Sequence, residues 1–435
     1  MARYAAPGAQ GSVVSYRDRY DHFIGGEYAP PAGGGYFADR SPVTGEVFTE
    51  VARGAAEDLD RALDAAHGAS RRWGRTSPAE RATVLNEIAD RVEDHLDALA
   101  VAEAWESGTP VGKALAVDLP SAVDHFRYFA GVVRAQAGGI TNLGGNLVAH
   151  HFPEPIGVVG QVVPWRRPLL AAAGALAPAL AAGNAVVLKP AEQTPASIHV
   201  LVGLIADLLP PGVVNVVNGL TSGPSEPDRH PHVFFADVAA RRDAFYDRAL
   251  RGFTTFALGQ ALVQSPAHDR VLADVTERVA AVRPGHPLDT ATTIGALSSH
   301  EHVAEFLAHV RAAEREGARI VLGGERADLG GELSGGYYVL PTVIEGRTCP
   351  DRDVRGPVVS LARFDDVDDA VKAANEGTRG VGAGVWSRDA GVADRVARRV
   401  NARRVWLNSC RPDPGDRAAI GHYQQTKTLL AEQPW

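Results

Sequence analysis

The chain has 435 residues, 45% of them hydrophobic and 22% charged, with a formal net charge of −8. This balance excludes a largely disordered chain and argues against a nucleic-acid partner, which would require a basic face. Two cysteines, Cys349 and Cys410, are too few for a disulfide framework, and the first residues show neither leader nor membrane span, so a cytoplasmic setting is expected. Residues 1–14 are rich in Gly and Ala and read as a flexible lead. Short strands and turns fill 15–55, punctuated by Gly25-Gly26 and the run Pro30–Gly35. Ala56–Ala116 reads as helical, with Leu85, Ile88, Val92 and Leu96 at helical spacing. A second amphipathic helix covers Ser121–Gln136, and Leu147–Phe152 reads as a strand.

The pattern changes at Ile156. Ile156–Val163, Ala185–Leu188 and Val213–Val217 read as buried strands, separated by helices at Leu169–Ala182 and Ser197–Leu208. Such alternation predicts a parallel doubly wound sheet, and Gly183 and Gly212 suit its turns. Residues 219–231 form a Gly/Pro/Ser-rich loop. Beyond it, the strands Val233–Phe235, Arg319–Leu322 and Val405–Leu407 alternate with helices from Ala239 and at Val271–Val282, Val303–Glu316, Val367–Asn375 and Val392–Val400. Thr428–Leu430 reads as a terminal strand.

The stretch Ile156–Gly219 resembles the aldehyde dehydrogenase superfamily, with its Pro164-Trp165 turn, its Leu188-Lys189-Pro190-Ala191-Glu192 run and its Val213–Gly219 segment. Further matches follow in the family's order at Ser41–Val47, Glu106–Pro110, Arg127–Gly131, Glu316–Gly324, Gly336–Val343, Arg355–Val358 and Val405–Asn408. The resemblance covers almost the whole chain. It implies an α/β fold with a doubly wound parallel sheet in a nucleotide domain, an α/β catalytic domain and a β oligomerisation element. The boundaries expected are 15–231 for a truncated nucleotide-like domain, with its oligomerisation strand at about 145–155. The catalytic-like domain would cover 232–410, and a C-terminal segment with a second oligomerisation strand 411–435. A homodimer or tetramer acting on a small molecule is implied.

Several family positions are altered. The nucleophile normally follows Gly-Gln as Gly-Gln-x-Cys, but Gly259-Gln260 leads into Ala261-Leu262-Val263-Gln264. Either Leu262 stands where the thiol would be, beside the substrate pocket, or Ala261–Gln264 is the strand that follows and the cysteine loop is missing. The interval from Gly219 to His232 is too short for two strand–helix units, which would carry the general-base glutamate. The oxyanion asparagine of Pro-Trp-Asn-Phe-Pro is replaced in Pro164-Trp165-Arg166-Arg167-Pro168. Asp353 stands for the glutamate that contacts the nicotinamide ribose. Lys189 and Glu192 match the adenosine-ribose pair and are expected as a remnant, with no cofactor retained or NAD(P) held weakly.

Arg166 and Arg167 leave a strand where α/β ligands gather, and a guanidinium clamps two oxygens at once. Trp165 and Tyr128 are candidate pocket walls. Cys410 is a candidate relocated nucleophile, and His422 and Tyr423 are candidates for proton transfer. On these residues the expected function is a non-redox reaction of a carbonyl compound, a cyclisation, isomerisation or dehydration in specialised biosynthesis. A non-catalytic binding or assembly protein, and an NAD(P)-dependent aldehyde dehydrogenase with a relocated nucleophile, are the alternatives.

Overall fold

The computed structural model describes residues 3–219, 232–235, 260–347, 356–376, 380–408 and 420–432. The N-terminal lead is not loose over residues 3–14. The Tyr4 amide donates to the Leu288 carbonyl at 3.0 Å, the Tyr4 hydroxyl donates to Asp97 at 2.8 Å, and Arg3 pairs with Glu332 at 2.6 Å. Composition alone hid this because Tyr4, Ala6 and Val14 sit among glycines yet pack onto the helical core.

Short strands follow: β1 (Arg19–Tyr20), β2 (His22–Ile24), β3 (Glu27–Ala29), β4 (Tyr36–Arg40) and β5 (Val47–Ala52). The span expected as one long helix is broken into α1 (Ala56–Gly74), α2 (Pro78–Asp94) and α3 (Leu96–Ser107). The breaks have local causes. Ser77 caps α2 by accepting from the Glu80 amide, Glu80 reaches back to the Ser77 amide at 2.7 Å, and Pro78 fills the first turn. Gly108 ends α3 in the left-handed region at φ 75°. A short turn, α4 (Val111–Lys113), runs through a π-helical stretch, Ala114–Asp118, into α5 (Leu119–Ala135). Two antiparallel strands come next, β6 (Gly139–Gly144) and β7 (Leu147–Pro155).

The doubly wound unit is β8 (Val158–Val162), α6 (Pro168–Ala182), β9 (Ala185–Lys189), α7 (Ala196–Ile205) and β10 (Val214–Val216). The three strands are parallel, β2 adds antiparallel to β10, and the sheet order is β3-β2-β10-β9-β8. Among the described strands β8 pairs on one side only, and Ile156, two residues before it, and Val162 at its end are 53% and 71% exposed. In a doubly wound sheet a fourth strand would lie against this edge of the first. The core of this unit joins α2, α3, α5, α6 and α7 through Leu85, Ile88, Leu99, Phe126, Leu176 and Ile198.

The second domain contains β11 (His232–Phe235), β12 (Gln260–Gln264), α8 (Ser265–Ala280), α9 (His300–Arg315), β13 (Arg319–Leu322), β14 (Thr342–Glu345) and β15 (Val358–Phe364). It continues through α10 (Val367–Asn375), β16 (Gly380–Trp386), α11 (Ala390–Arg399) and β17 (Ala402–Leu407). Its seven-stranded sheet runs β13-β14-β15-β12-β11-β16-β17 and is parallel except for β13. The final strand, β18 (Gln424–Glu432), pairs antiparallel with β7 from Gln424 opposite Pro155 to Glu432 opposite Leu147. The sheet β18-β7-β6 leaves Ile140, Leu143, Leu429 and Leu430 more than half exposed. Among the described residues no helix is long and apolar enough to cross a membrane.

Candidate active site

The turn between β8 and α6 is built by two opposed demands. Pro168 opens α6, so the residue before it is pushed out of the helical region. Arg167 accordingly takes the left-handed conformation, φ 55°, which an L side chain adopts at a cost. Its side chain supplies the hold. Both Nε, at 2.7 Å, and Nη2, at 2.5 Å, meet Oδ1 of Asp118, a carboxylate with no solvent exposure. The other oxygen, Oδ2, faces the Lys113 ammonium at 3.8 Å. The π-helical stretch joins Lys113 to Asp118, and π-helical turns recur at functional sites.

Glu103 of α3 closes this group from beneath. One of its oxygens accepts from the Leu169 amide at 3.2 Å in the first turn of α6. Burial, aided by the Asp118 charge, pushes its pKa up to about 8, so it is mostly neutral at pH 7. The Lys113 ammonium is mostly buried, which lowers its pKa. Asp118 opposes that shift, while the nearby Arg167 and Arg166 add to it. One helical turn further along α3, Glu106 accepts from the Ser197 amide at 2.9 Å and from the Ala196 amide, capping α7.

Across the turn, the Trp165 ring meets His302 of the second domain edge-on, with centroids 5.1 Å apart. His302 in turn contacts the Ser298 hydroxyl at 3.1 Å through Nδ1. Beside this, at the end of β9, the Lys189 ammonium donates to the Pro190 carbonyl at 3.0 Å and lies 3.8 Å from Glu192. Burial lowers the Lys189 pKa. Among the described residues Asn408, after β17, is the other non-glycine in the left-handed region, at φ 48°. It is pinned by side-chain bonds to the Ser387 amide and carbonyl, both at 2.9 Å, and leads into the segment that carries Cys410.

The candidate residues separate into groups. Trp165, Arg166 and Arg167 share one turn, and Lys189 and Glu192 sit together at the end of the neighbouring strand. Tyr128 is 42% exposed on α5, its ring packed on its neighbour Phe129, 5.1 Å away. Leu262 does not line a pocket. It lies in the middle of β12, 1% exposed, packed with Ala362, Phe364, Val371 and Val385. Ala261–Gln264 is therefore a central strand, paired with both β11 and β15, which settles the choice left by the sequence. His422 is exposed. Tyr423 docks the C-terminal segment: its carbonyl accepts from Asn184 at 2.8 Å, and Gln161 bonds its hydroxyl at 3.1 Å. Its backbone thus meets the start of β9, at the opposite end of that strand from Lys189. Asp353 and Cys410 lie outside the described residues.

Sequence reading missed Glu103, Lys113, Asp118 and His302. Lys113 carried a usable signal, since it is one of only four lysines, with Lys189, Lys372 and Lys427. Glu103 carried another, as a carboxylate in the apolar run Leu99–Trp105. His302 had none, because its meeting with Trp165 joins residues far apart in the chain.

A doubly wound unit with candidate residues at its strand ends, together with a larger second sheet and a three-stranded β element, defines the class: an α/β protein. The aldehyde dehydrogenase family model matches residues 28–226 and 240–426, and the chain belongs to that family. It is 50% identical over 496 positions to the fluoroacetaldehyde dehydrogenase of Streptantibioticus cattleyicolor, covering 99% of this chain and 98% of that protein. It is 46% identical to acetaldehyde dehydrogenase 2 of Cupriavidus necator, over 95% of each. Betaine aldehyde dehydrogenase from Staphylococcus aureus, solved in complex with NAD+, matches with a TM-score of 0.87 at 26% identity, over 95% of this chain and 94% of that one.

These relatives correct two expectations. A non-redox reaction is overturned, because full-length relatives at this identity are named as aldehyde dehydrogenases. The expectation of no cofactor falls with it, because the similar solved structure holds NAD+. The retained frame, matched over nearly the whole chain, outweighs the single altered motifs.

Proposed function

We propose that the protein oxidises a small aldehyde to its acid with NAD(P). The observation that carries this reading is the 50% identity to a fluoroacetaldehyde dehydrogenase over nearly the full length of both chains. The residues at the end of β9 fit the cofactor. Lys189 offers a donor and Glu192 an acceptor within 3.8 Å of each other, both partly exposed, as the two hydroxyls of a ribose require. The bound nicotinamide would take the hydride of the aldehyde carbon, and the chain must supply a thiolate to add to the carbonyl and a water to release the acid.

The thiol is where this chain departs from its family. Gly259-Gln260 is not followed by Cys, and the match to the fluoroacetaldehyde dehydrogenase spans 496 positions against 435 residues here, so that relative carries internal positions that this chain lacks. Only Cys349 and Cys410 can provide a thiol, and Cys410, two residues beyond the pinned Asn408, is the one we assign. The site would be completed by Trp165 and Arg166 at the turn after β8. We also propose a homodimer formed through the exposed apolar face of β18-β7-β6, with a solution mass twice the 45.9 kDa of one chain.

The test is production of reduced nicotinamide from acetaldehyde and fluoroacetaldehyde, followed by its absorbance, with the parent, Cys410→Ser and Cys349→Ser. Turnover lost in Cys410→Ser and kept in Cys349→Ser is expected. A parent that forms no reduced nicotinamide with NAD or NADP refutes the reading.

A further inference from the structure

The buried group behind the turn is oddly balanced. Arg167 already occupies one oxygen of Asp118, and Glu103 is largely neutral near pH 7. Lys113 is then left with the other Asp118 oxygen at 3.8 Å, beyond hydrogen-bond reach, and makes no closer polar contact among the described residues. An ammonium on a side chain only 19% exposed, with no hydrogen bond among the described residues, is costly to hold unless something else completes its shell. Arg166, half-buried in the same turn as Trp165 and Arg167, lies within electrostatic reach of it. Two cations therefore converge at the mouth of β8, where α/β ligands sit, with Arg167 and Asp118 fixing the backbone between them.

We propose that Lys113 and Arg166 form a recognition site for the anionic end, a carboxylate or a phosphate, of the aldehyde substrate. The inference rests on reading this turn as the substrate side of the site. It names the substrate class as an aldehyde that carries a negative group several bonds from its carbonyl. A guanidinium presents a planar fork to two oxygens, and an ammonium adds a point charge with three donors. Arg167 is a positioning residue here, because its Nε and Nη2 are held by Asp118.

Calorimetric titration with succinate, glycerol phosphate and the neutral butyramide tests the site with neither nicotinamide nor aldehyde present. The parent should bind at least one anion and not butyramide. Lys113→Met and Arg166→Met should each weaken that binding about ten- to a hundred-fold, the range for bonds to charged groups. Lys113→Arg should restore most of it, and Arg398→Met, a remote surface control, should change nothing. Thermal unfolding of each variant checks that the fold is kept. Equal binding of succinate and butyramide, or anion binding that survives both Met substitutions, overturns the proposal. Turnover separates it from the aldehyde reading. A parent that oxidises butanal and a four-carbon aldehyde ending in carboxylate equally well refutes the anion site alone. Anion binding lost in Lys113→Met, with no reduced nicotinamide from any aldehyde, supports the site and refutes only the oxidation.

Discussion

Replacing Arg167 by alanine isolates the device that shapes the turn. In the parent, Asp118 is fully buried and its Oδ1 takes both Nε and Nη2 of Arg167. Breaking a buried pair from one side costs about 3–5 kcal/mol, whereas an exposed pair is worth about 0–1 kcal/mol. Arg167 is 35% exposed, so the interaction is screened on one side, and Lys113 stays near the other carboxylate oxygen. We therefore expect Arg167→Ala to cost about 2 kcal/mol, between those limits. The backbone supplies an internal comparison. Alanine keeps the left-handed strain at φ 55°, while glycine adopts that conformation without penalty. Arg167→Gly should then be more stable than Arg167→Ala by about 1 kcal/mol, despite losing the same ion pair. Urea denaturation followed by tryptophan fluorescence reads both quantities, provided refolding is reversible. A loss below about 0.5 kcal/mol in Arg167→Ala, the size of an ordinary surface change, refutes the account. So does a glycine variant less stable than the alanine one.

Glu103→Gln should change the pH dependence of stability. A carboxyl held protonated in the fold, with its pKa raised from 4.5 to about 8, contributes stability that is full at acid pH and is lost as pH rises between those values. The Gln variant has nothing to ionise, so its stability relative to the parent should rise from pH 5 to pH 8; a flat difference across that window contradicts the assignment. Leu262→Cys should not restore turnover to Cys410→Ser, because the position lies within the β12 core. Its thiol should stay unreactive toward a thiol reagent until the protein is unfolded, and rapid labelling of the native variant would place Leu262 at a surface instead. Asn184→Ala should release the C-terminal segment. It leaves the Gly157 amide and the Tyr423 carbonyl without their 2.8 Å partners, at about 1–3 kcal/mol for each group that stays buried, and hydrogen exchange at Ile156 should quicken; unchanged exchange and stability would refute that anchoring role.

Much of the architecture was legible in the chain itself. Apolar runs and period-3.6 patterning placed β9, α6 and α10 to within a residue or so, because each buries one continuous stripe or is buried nearly all round. Family membership was also legible, because motifs spread over the whole chain retain their order. Other features depended on contacts that no local pattern encodes. The one long helix expected over Ala56–Ala116 is divided at Ser77-Pro78 and Gly108, where capping outweighs apolar spacing. Leu262 belongs to a core strand because β11 and β15 flank it, a pairing of distant segments. The pairing of Trp165 with His302, and the meeting of Lys113, Asp118 and Glu103 behind Arg167, likewise join side chains from separate elements. Composition and periodicity determine which surfaces must be buried. Which polar groups are buried together, and which cation lacks a hydrogen-bond partner among the described residues, depends on how those surfaces meet, and only the tertiary structure decides that.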